Sequence, residues 1–169
     1  MKIDLMINGS FAVIQINGKY LFLKRDDNGK WDLTGGGYDI HEVLHKVVVT
    51  REIKEETGLE IQPNSLHLCA TLGQRLRKSV SEQYGGLQFG TIYLYYTILY
   101  GEYEIKLDHE HTDYRLFSYE EVMNEWKDFS SGPLLQFFTF LTFQEENMLQ
   151  DGMLFERRLW KGKEYFTPN

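Results

Sequence analysis

The segment Arg51-Glu52-Ile53-Lys54-Glu55-Glu56-Thr57-Gly58-Leu59 gathers carboxylates at offsets of three and four residues. On a helix, those offsets place Glu52, Glu55 and Glu56 within one sector about 100° wide. Like charges so spaced repel by roughly a few tenths of a kcal/mol per pair on an exposed helix. Near a helix C-terminus the backbone dipole also disfavours anions. A bound cation reverses both penalties. Hard divalent ions such as Mg2+ and Mn2+ prefer oxygen ligands, and Mg2+ completes its shell with water and substrate phosphate. The bland reading of the same residues is a solvated acidic face, partly neutralised by Arg51 and Lys54.

What flanks the segment decides between these readings. Gly58 followed by Leu59 suits a left-handed helix stop with an apolar partner. Upstream, Trp31-Asp32-Leu33-Thr34 leads into Gly35-Gly36-Gly37. That glycine run is too permissive for regular structure and predicts a backbone that bends or approaches something closely.

With these neighbours the sequence resembles the Nudix hydrolase family. The family's box reads Gly, five residues, Glu, seven residues, then Arg-Glu-apolar-any-Glu-Glu-any-Gly-apolar. Arg51 to Leu59 matches its second half at every specified position. The approach Trp31 to Gly37 is similar to the family's, with Thr34 where Pro is common. The first half departs by one residue. Counted forward from Gly36, Glu42 stands where the first Glu belongs; counted back from Arg51, that place is Val43. An extra residue at the loop–helix junction leaves the acidic face undisturbed, whereas a bulge inside the helix rotates the preceding turn by about 100°.

The resemblance implies an α+β fold, a Nudix α/β/α sandwich with a mixed central sheet and flanking helices. It implies metal ligation by Glu52, Glu55 and Glu56, with Gly36 adding its backbone carbonyl. Arg51 would hold the Glu side chains through charge-assisted hydrogen bonds; its bland reading is a surface ion pair worth under about 1 kcal/mol. A further carboxylate is expected from the segment 107–118, where Glu110 is the candidate general base or extra ligand. The alternative for Glu110 is a solvated loop acid. His109 and His111 flank it, but a His/Cys set with zinc-ligand spacing is missing. Arg51, Glu55, Glu56 and Glu110 thus form the expected catalytic set, with Glu55 as ligand of a second ion or as proton acceptor.

The implied reaction is water-driven cleavage of a diphosphate linkage in a nucleoside diphosphate joined to another group, with Mg2+ as cofactor and Mn2+ as its substitute. The expected partner is a small nucleotide-like diphosphate. Three substrate signatures known in the family are missing: no Pro lies in Thr71 to Arg75, Tyr84 lies too far on, and no coenzyme A pattern precedes the box. Arg75, Arg77 and Lys78 are candidates to meet a phosphate, and Phe89 or Tyr93 to stack on a base, against the commoner roles of solvated charge and core aromatic. Two other readings stand beside the hydrolase: a catalytically inactive Nudix-like nucleotide-binding or regulatory domain, and an acidic partner-binding module using a Phe-rich helix at 134–149. The second explains none of the Gly and Glu pattern.

The elements that must position these residues are legible in outline. Strands are predicted at 11–16 and 20–23, joined by Asn17-Gly18, a pair suited to the positive φ of a tight hairpin. A second turn is predicted at Asn28-Gly29. One helix is predicted from about His41 to Thr57, with Val43, Leu44, Val47, Val48 and Ile53 as its apolar face. Strands follow at 65–72 and 87–99 with a loop or ragged end between, then a short strand at 114–117. Ser118 caps a helix beginning at Tyr119. Pro133 opens a last helix to about Leu149, and 153–166 suits a hairpin. The chain reads as a single domain over 1–169, with a C-terminal extension from about 134.

The 169 residues are 42% hydrophobic and 15% aromatic, enough for a buried core. A net charge of −7 opposes binding to a nucleic-acid duplex, which needs a basic surface. It does not oppose a phosphate ester bridged by a metal ion. The single Cys69 cannot form an internal disulfide and reads as a buried structural thiol. No signal-peptide core or membrane-spanning stretch is visible, so a cytoplasmic, non-membrane protein is expected. A homodimer is compatible with these readings.

Overall fold

A computed structural model of the chain describes residues 8–38, 44–75, 82 and 89–150, the side chains at 8, 74, 75, 89 and 146–150 excepted. The expectations for Glu42, Val43, Arg77, Lys78, Tyr84 and the hairpin at 153–166 lie outside the described residues.

A mixed sheet forms the middle layer. Its strands are β1 (Asn8–Ile16), β2 (Lys19–Arg25), β3 (Trp31–Asp32), β4 (Thr34–Gly37), β5 (His67–Arg75), β6 (Phe89–Leu99) and β7 (His111–Phe117). The path runs β3-β2-β1-β6-β5, with β4 pairing β1 and β7 pairing β2. β1 is parallel to β6 along its whole length, and antiparallel to the rest of its partners. It forks between two of them: Gln15 and Ile16 pair with β2 at the hairpin, while Gly9 to Ala12 pair with β4. Asn17 at φ 49° and Gly18 at φ 81° supply the predicted tight turn.

Both faces of β1 are covered, so its residues read as a continuous apolar run rather than an alternation. Ala12, Ile14 and Ile16 join Leu21, Leu23, Val49, Ile53 and Tyr95 beneath helix α1 (His45–Thr57). Val13 faces the other side with Phe22, Trp31, Phe117 and the aromatics of helix α3 (Ser131–Gln150). Phe137, Phe138 and Phe140 there are fully buried, and Phe22 meets Phe117, Phe129 and Phe137 edge-on at centroid distances of 4.8 to 5.6 Å. Such edge contacts suit the ring quadrupoles. Helix α2 (Tyr119–Asn124) starts with a full capping box: Glu121 N–H donates to Ser118 Oγ, and Ser118 N–H to Glu121 Oε2. The mixed sheet between helices is the α+β arrangement that the sequence implied. Among the described residues no helix is long and apolar enough to cross a membrane.

Several expectations are corrected. The glycine run is regular structure after all: Thr34 to Gly37 form β4, because the pairing with β1 fixes a backbone that side chains do not. The helix does not run unbroken from His41. Leu44 is extended at φ −109°, ψ 117°, and α1 begins at His45. Its buried stripe is Val48, Val49, Ile53, Glu56 and Thr57, whereas Leu44 and Val47 are 62% and 48% exposed. β5 starts at His67 and continues through Gly73 to Arg75, and β7 starts at His111, three residues before the expected Tyr114. α3 begins two residues ahead of Pro133. Cys69 is half-buried, its thiol donating to the Leu94 carbonyl at 3.3 Å.

Candidate active site

Helix α1 crosses the strands rather than following one. Ser10 on β1 pairs with Tyr93 on β6 and with Gly36 on β4, so these three form one row on the face beneath the helix. His45 stands at one end of the row. Its ring stacks on Tyr93 at 4.0 Å, its Nδ1 shares a hydrogen bond with the Tyr95 hydroxyl, and its carbonyl accepts from Ser10 Oγ at 2.8 Å. Burial and the Lys46 charge lower the His45 pKa below its ordinary value. Seven residues later, Glu52 reaches the other end over Gly36. Seven residues of helix rise about 10 Å, close to two strand spacings.

This crossing separates the three carboxylates. Glu52 and Glu56 share the inward stripe with Val49 and Ile53, at i, i+3, i+4 and i+7. Glu56 is 7% exposed, and the Glu52 side chain 14%. Glu55 points out, its side chain 56% exposed and paired to Arg51 at 2.8 Å. Among the described residues no three His, Cys, Asp or Glu side chains converge closely enough, as they stand, to hold an ion.

Arg51 ties helix to strand. It contacts Glu55 at 2.8 Å, Glu52 at 3.0 Å and the Gly37 carbonyl at 3.2 Å. One guanidinium fork thus fixes two acids against the end of β4, which suits its planar donor geometry.

The glycines of β4 make the close approach feasible. A Cβ on Gly36 would lie 2.6 Å from Glu52 Oε1, so any side chain there would displace that carboxylate. Gly35 has φ 145°, and its Cβ would lie 2.4 Å from the Ser10 carbonyl. Its N–H donates to Glu56 Oε2 at 3.0 Å. Burial pushes the Glu56 carboxyl up to about 9; the Gly35 bond opposes this, and the charges of Glu52, Asp108 and Asp32 add to it. A divalent cation would relieve both the burial and the repulsion. Two inward carboxylates beside a glycine that leaves room for them are an oxygen donor set of the kind Mg2+ and Mn2+ take.

The loop at 100–110 adds a residue that sequence reasoning missed. Gly58 ends α1 at φ 71° as predicted, and Lys106 N–H donates to the Thr57 carbonyl at 2.8 Å, pinning the loop against the helix end. This brings Asp108 near enough to raise Glu56 and to bond His111 Nδ1 at 2.7 Å. Glu110, the expected loop acid, is exposed; its N–H turns back to Asp108 Oδ1 and its charge acts on Arg25. Asp32, in the approach to β4, is the other acid that acts on Glu56, with Arg25 at 3.9 Å. The pair Asp108 and His111, three apart, was the available signal. Tyr93 is engaged by His45, and Arg75 lies at the end of β5.

Residues 6–138 match the NUDIX domain family. A MutT-like protein of Streptomyces ambofaciens is 37% identical over 55 residues, which cover 32% of this chain and only 35% of that relative. The solved MutT protein of Methanosarcina mazei superposes with a TM-score of 0.61 at 26% identity, covering 83% of this chain and 94% of that one. An Ap4A hydrolase of C. elegans shares the fold, with a TM-score of 0.62 at 17% identity over 83% of this chain and 98% of that one. The matched span contains both the glycine strand and the acidic helix, and the chain belongs to the NUDIX domain family.

Proposed function

We propose that this protein is a divalent-cation-dependent hydrolase that cleaves a diphosphate linkage in a nucleoside diphosphate joined to another group. The observation that carries the reading is the pair Glu52 and Glu56, one turn apart, turned inward onto a glycine strand that leaves room for them. The matched MutT proteins and the hydrolase named above support the class of reaction.

In this reading Glu52 and Glu56 hold Mg2+, with Mn2+ as substitute, and the Gly36 carbonyl is their third partner. The ion would neutralise phosphate oxygens and acidify a water. Arg51 keeps Glu52 and Glu55 in register with β4. Glu55, at the exposed rim, accepts a proton or meets a second ion. Asp108 is better placed than Glu110 to act with Glu56, because its charge reaches that carboxylate. The substrate is a small nucleotide-like molecule. The chain is read as one Nudix domain, and a cytoplasmic setting fits that chemistry.

A second reading, a nucleotide-binding or regulatory domain without turnover, draws on the outward Glu55 and the absence, among the described residues, of three gathered acids. One experiment separates them: a broad panel of nucleoside diphosphate derivatives incubated with Mg2+ or Mn2+, the products identified by mass spectrometry. The hydrolase releases a nucleoside monophosphate from at least one member, and chelator abolishes it. Silence across the panel, with ligand binding indifferent to chelator, selects the second reading.

A further inference from the structure

Thr34 opens the glycine strand and is 1% exposed, yet its Oγ1 has no hydrogen-bond partner. Two other buried side-chain atoms among the described residues share that condition: Thr97 Oγ1 on β6 and Gln136 Oε1 on α3. Thr34 differs from them in its neighbour. Its partner across the ladder is Ala12, a core residue beneath α1, so its side chain lies on the face that meets the helix. The next residue, Gly35, donates to Glu56 Oε2 at 3.0 Å. The Glu56 carboxylate is therefore seated against the peptide that joins Thr34 to Gly35.

An unsatisfied buried hydroxyl costs about 1–3 kcal/mol, and an apolar group of the same shape would avoid it. Valine has that shape. A hydroxyl retained at such a place finds its use in a state with an acceptor for it. Glu56 is the acceptor at hand, and an ionised buried carboxylate calls for more than the one N–H that Gly35 supplies.

We propose that Thr34 is a positioning residue for Glu56: its hydroxyl donates to that carboxylate once a divalent cation is bound, fixing which oxygen faces the ion. The bond requires the Glu56 carboxylate, already held by the Gly35 amide, to turn towards the hydroxyl of the preceding residue. The proposal rests on the hydrolase reading above, and it adds a partner behind the ligand of the kind that tunes metal affinity.

The test uses the full chain with Thr34→Val and Thr34→Ser, and reads Mn2+ affinity by electron paramagnetic resonance of the free ion, beside thermal melting in chelator. Thr34→Val should bind Mn2+ about tenfold more weakly, while melting in chelator at or above the temperature of the unsubstituted chain. Thr34→Ser should stay close to the unsubstituted affinity. Equal affinity in Thr34→Val, or an equal loss in Thr34→Ser, overturns the proposal. Should Thr34→Val fail to fold, Thr34→Ala against Thr34→Ser carries the same comparison: Ala must lose what Ser keeps. If the unsubstituted chain binds no Mn2+, the hydrolase reading falls and this proposal with it; if it binds and Val binds as well, only the role of Thr34 falls.

Discussion

Gly35 and Glu56, 21 residues apart, are joined by a 3.0 Å hydrogen bond from the Gly35 amide to Glu56 Oε2. The bond locks the last turn of α1 to a strand whose backbone only glycine tolerates at that point, with φ 145° and the Ser10 carbonyl where a Cβ would stand. It is also the main influence that favours the ionised carboxylate, against burial and three neighbouring negative charges.

That balance predicts how stability depends on pH. The Glu56 carboxyl is held at about 9, above its ordinary 4.5, so the folded protein binds a proton that the unfolded chain releases. Its contribution is fully present below the ordinary carboxylate range and is lost as pH rises towards about 9. In chelator, urea midpoints should therefore fall between pH 5 and pH 9, and Glu56→Gln should flatten the curve. Added Mg2+ should stabilise the unsubstituted chain more at the alkaline end, because binding displaces that proton. Glu56→Gln should lower turnover by orders of magnitude with the fold intact. A slope unchanged in the Gln variant would locate the effect elsewhere.

Gly36 and Gly37 provide a matched pair. An Ala methyl at 36 would lie 2.6 Å from Glu52 Oε1, whereas one at 37 meets nothing within 4 Å. Gly36→Ala should change stability little, because only the end of the flexible Glu52 side chain must give way, and should reduce Mg2+-dependent turnover at least about tenfold as Glu52 is displaced. Gly37→Ala should leave both nearly unchanged. Denaturant unfolding and single-substrate kinetics on the two variants test this. Equal turnover would mean that Glu52 accommodates the methyl without loss.

How far this site could be read from sequence follows from which residues carry a local signal. Asn17-Gly18, Ser118 with Glu121, and Gly58 each satisfy backbone groups within a few residues, so their types suffice to place them. The acidic box is legible for the same reason: its spacing is a helical one. β4 is not, because three glycines carry no side-chain period and their strand state comes from β1. Nor is the outward turn of Glu55, which depends on which stripe of α1 meets the sheet. The run Val47-Val48-Val49 offers apolar side chains across a wide arc, and the row Tyr93, Ser10 and Gly36 selects 48 and 49 for burial. Asp108 was hidden by loop path. The amide of Lys106 on Thr57, rather than any periodicity, brings its charge within range of Glu56.

Asp108 and Glu110 are two residues apart and differ in what they touch, which allows their roles to be separated. Asp108 accepts from His111, itself buried, and is one of the charges that raise Glu56. Removing its charge as Asp108→Asn preserves an acceptor for His111 and takes away one cause of the raised Glu56 carboxyl. The Glu56 proton should then leave at lower pH, so at limiting Mg2+, where the ion competes with that proton, the acid limb of the activity profile should move towards acid. Turnover should fall if Asp108 also handles a proton. Glu110→Gln alters an exposed side chain whose charge acts on Arg25 rather than on Glu56. It should leave the acid limb in place and turnover close to that of the unsubstituted chain. A profile that moves in Glu110→Gln and stays in Asp108→Asn would return the role to the exposed acid, and would mean that the loop closes further over α1 when substrate is bound.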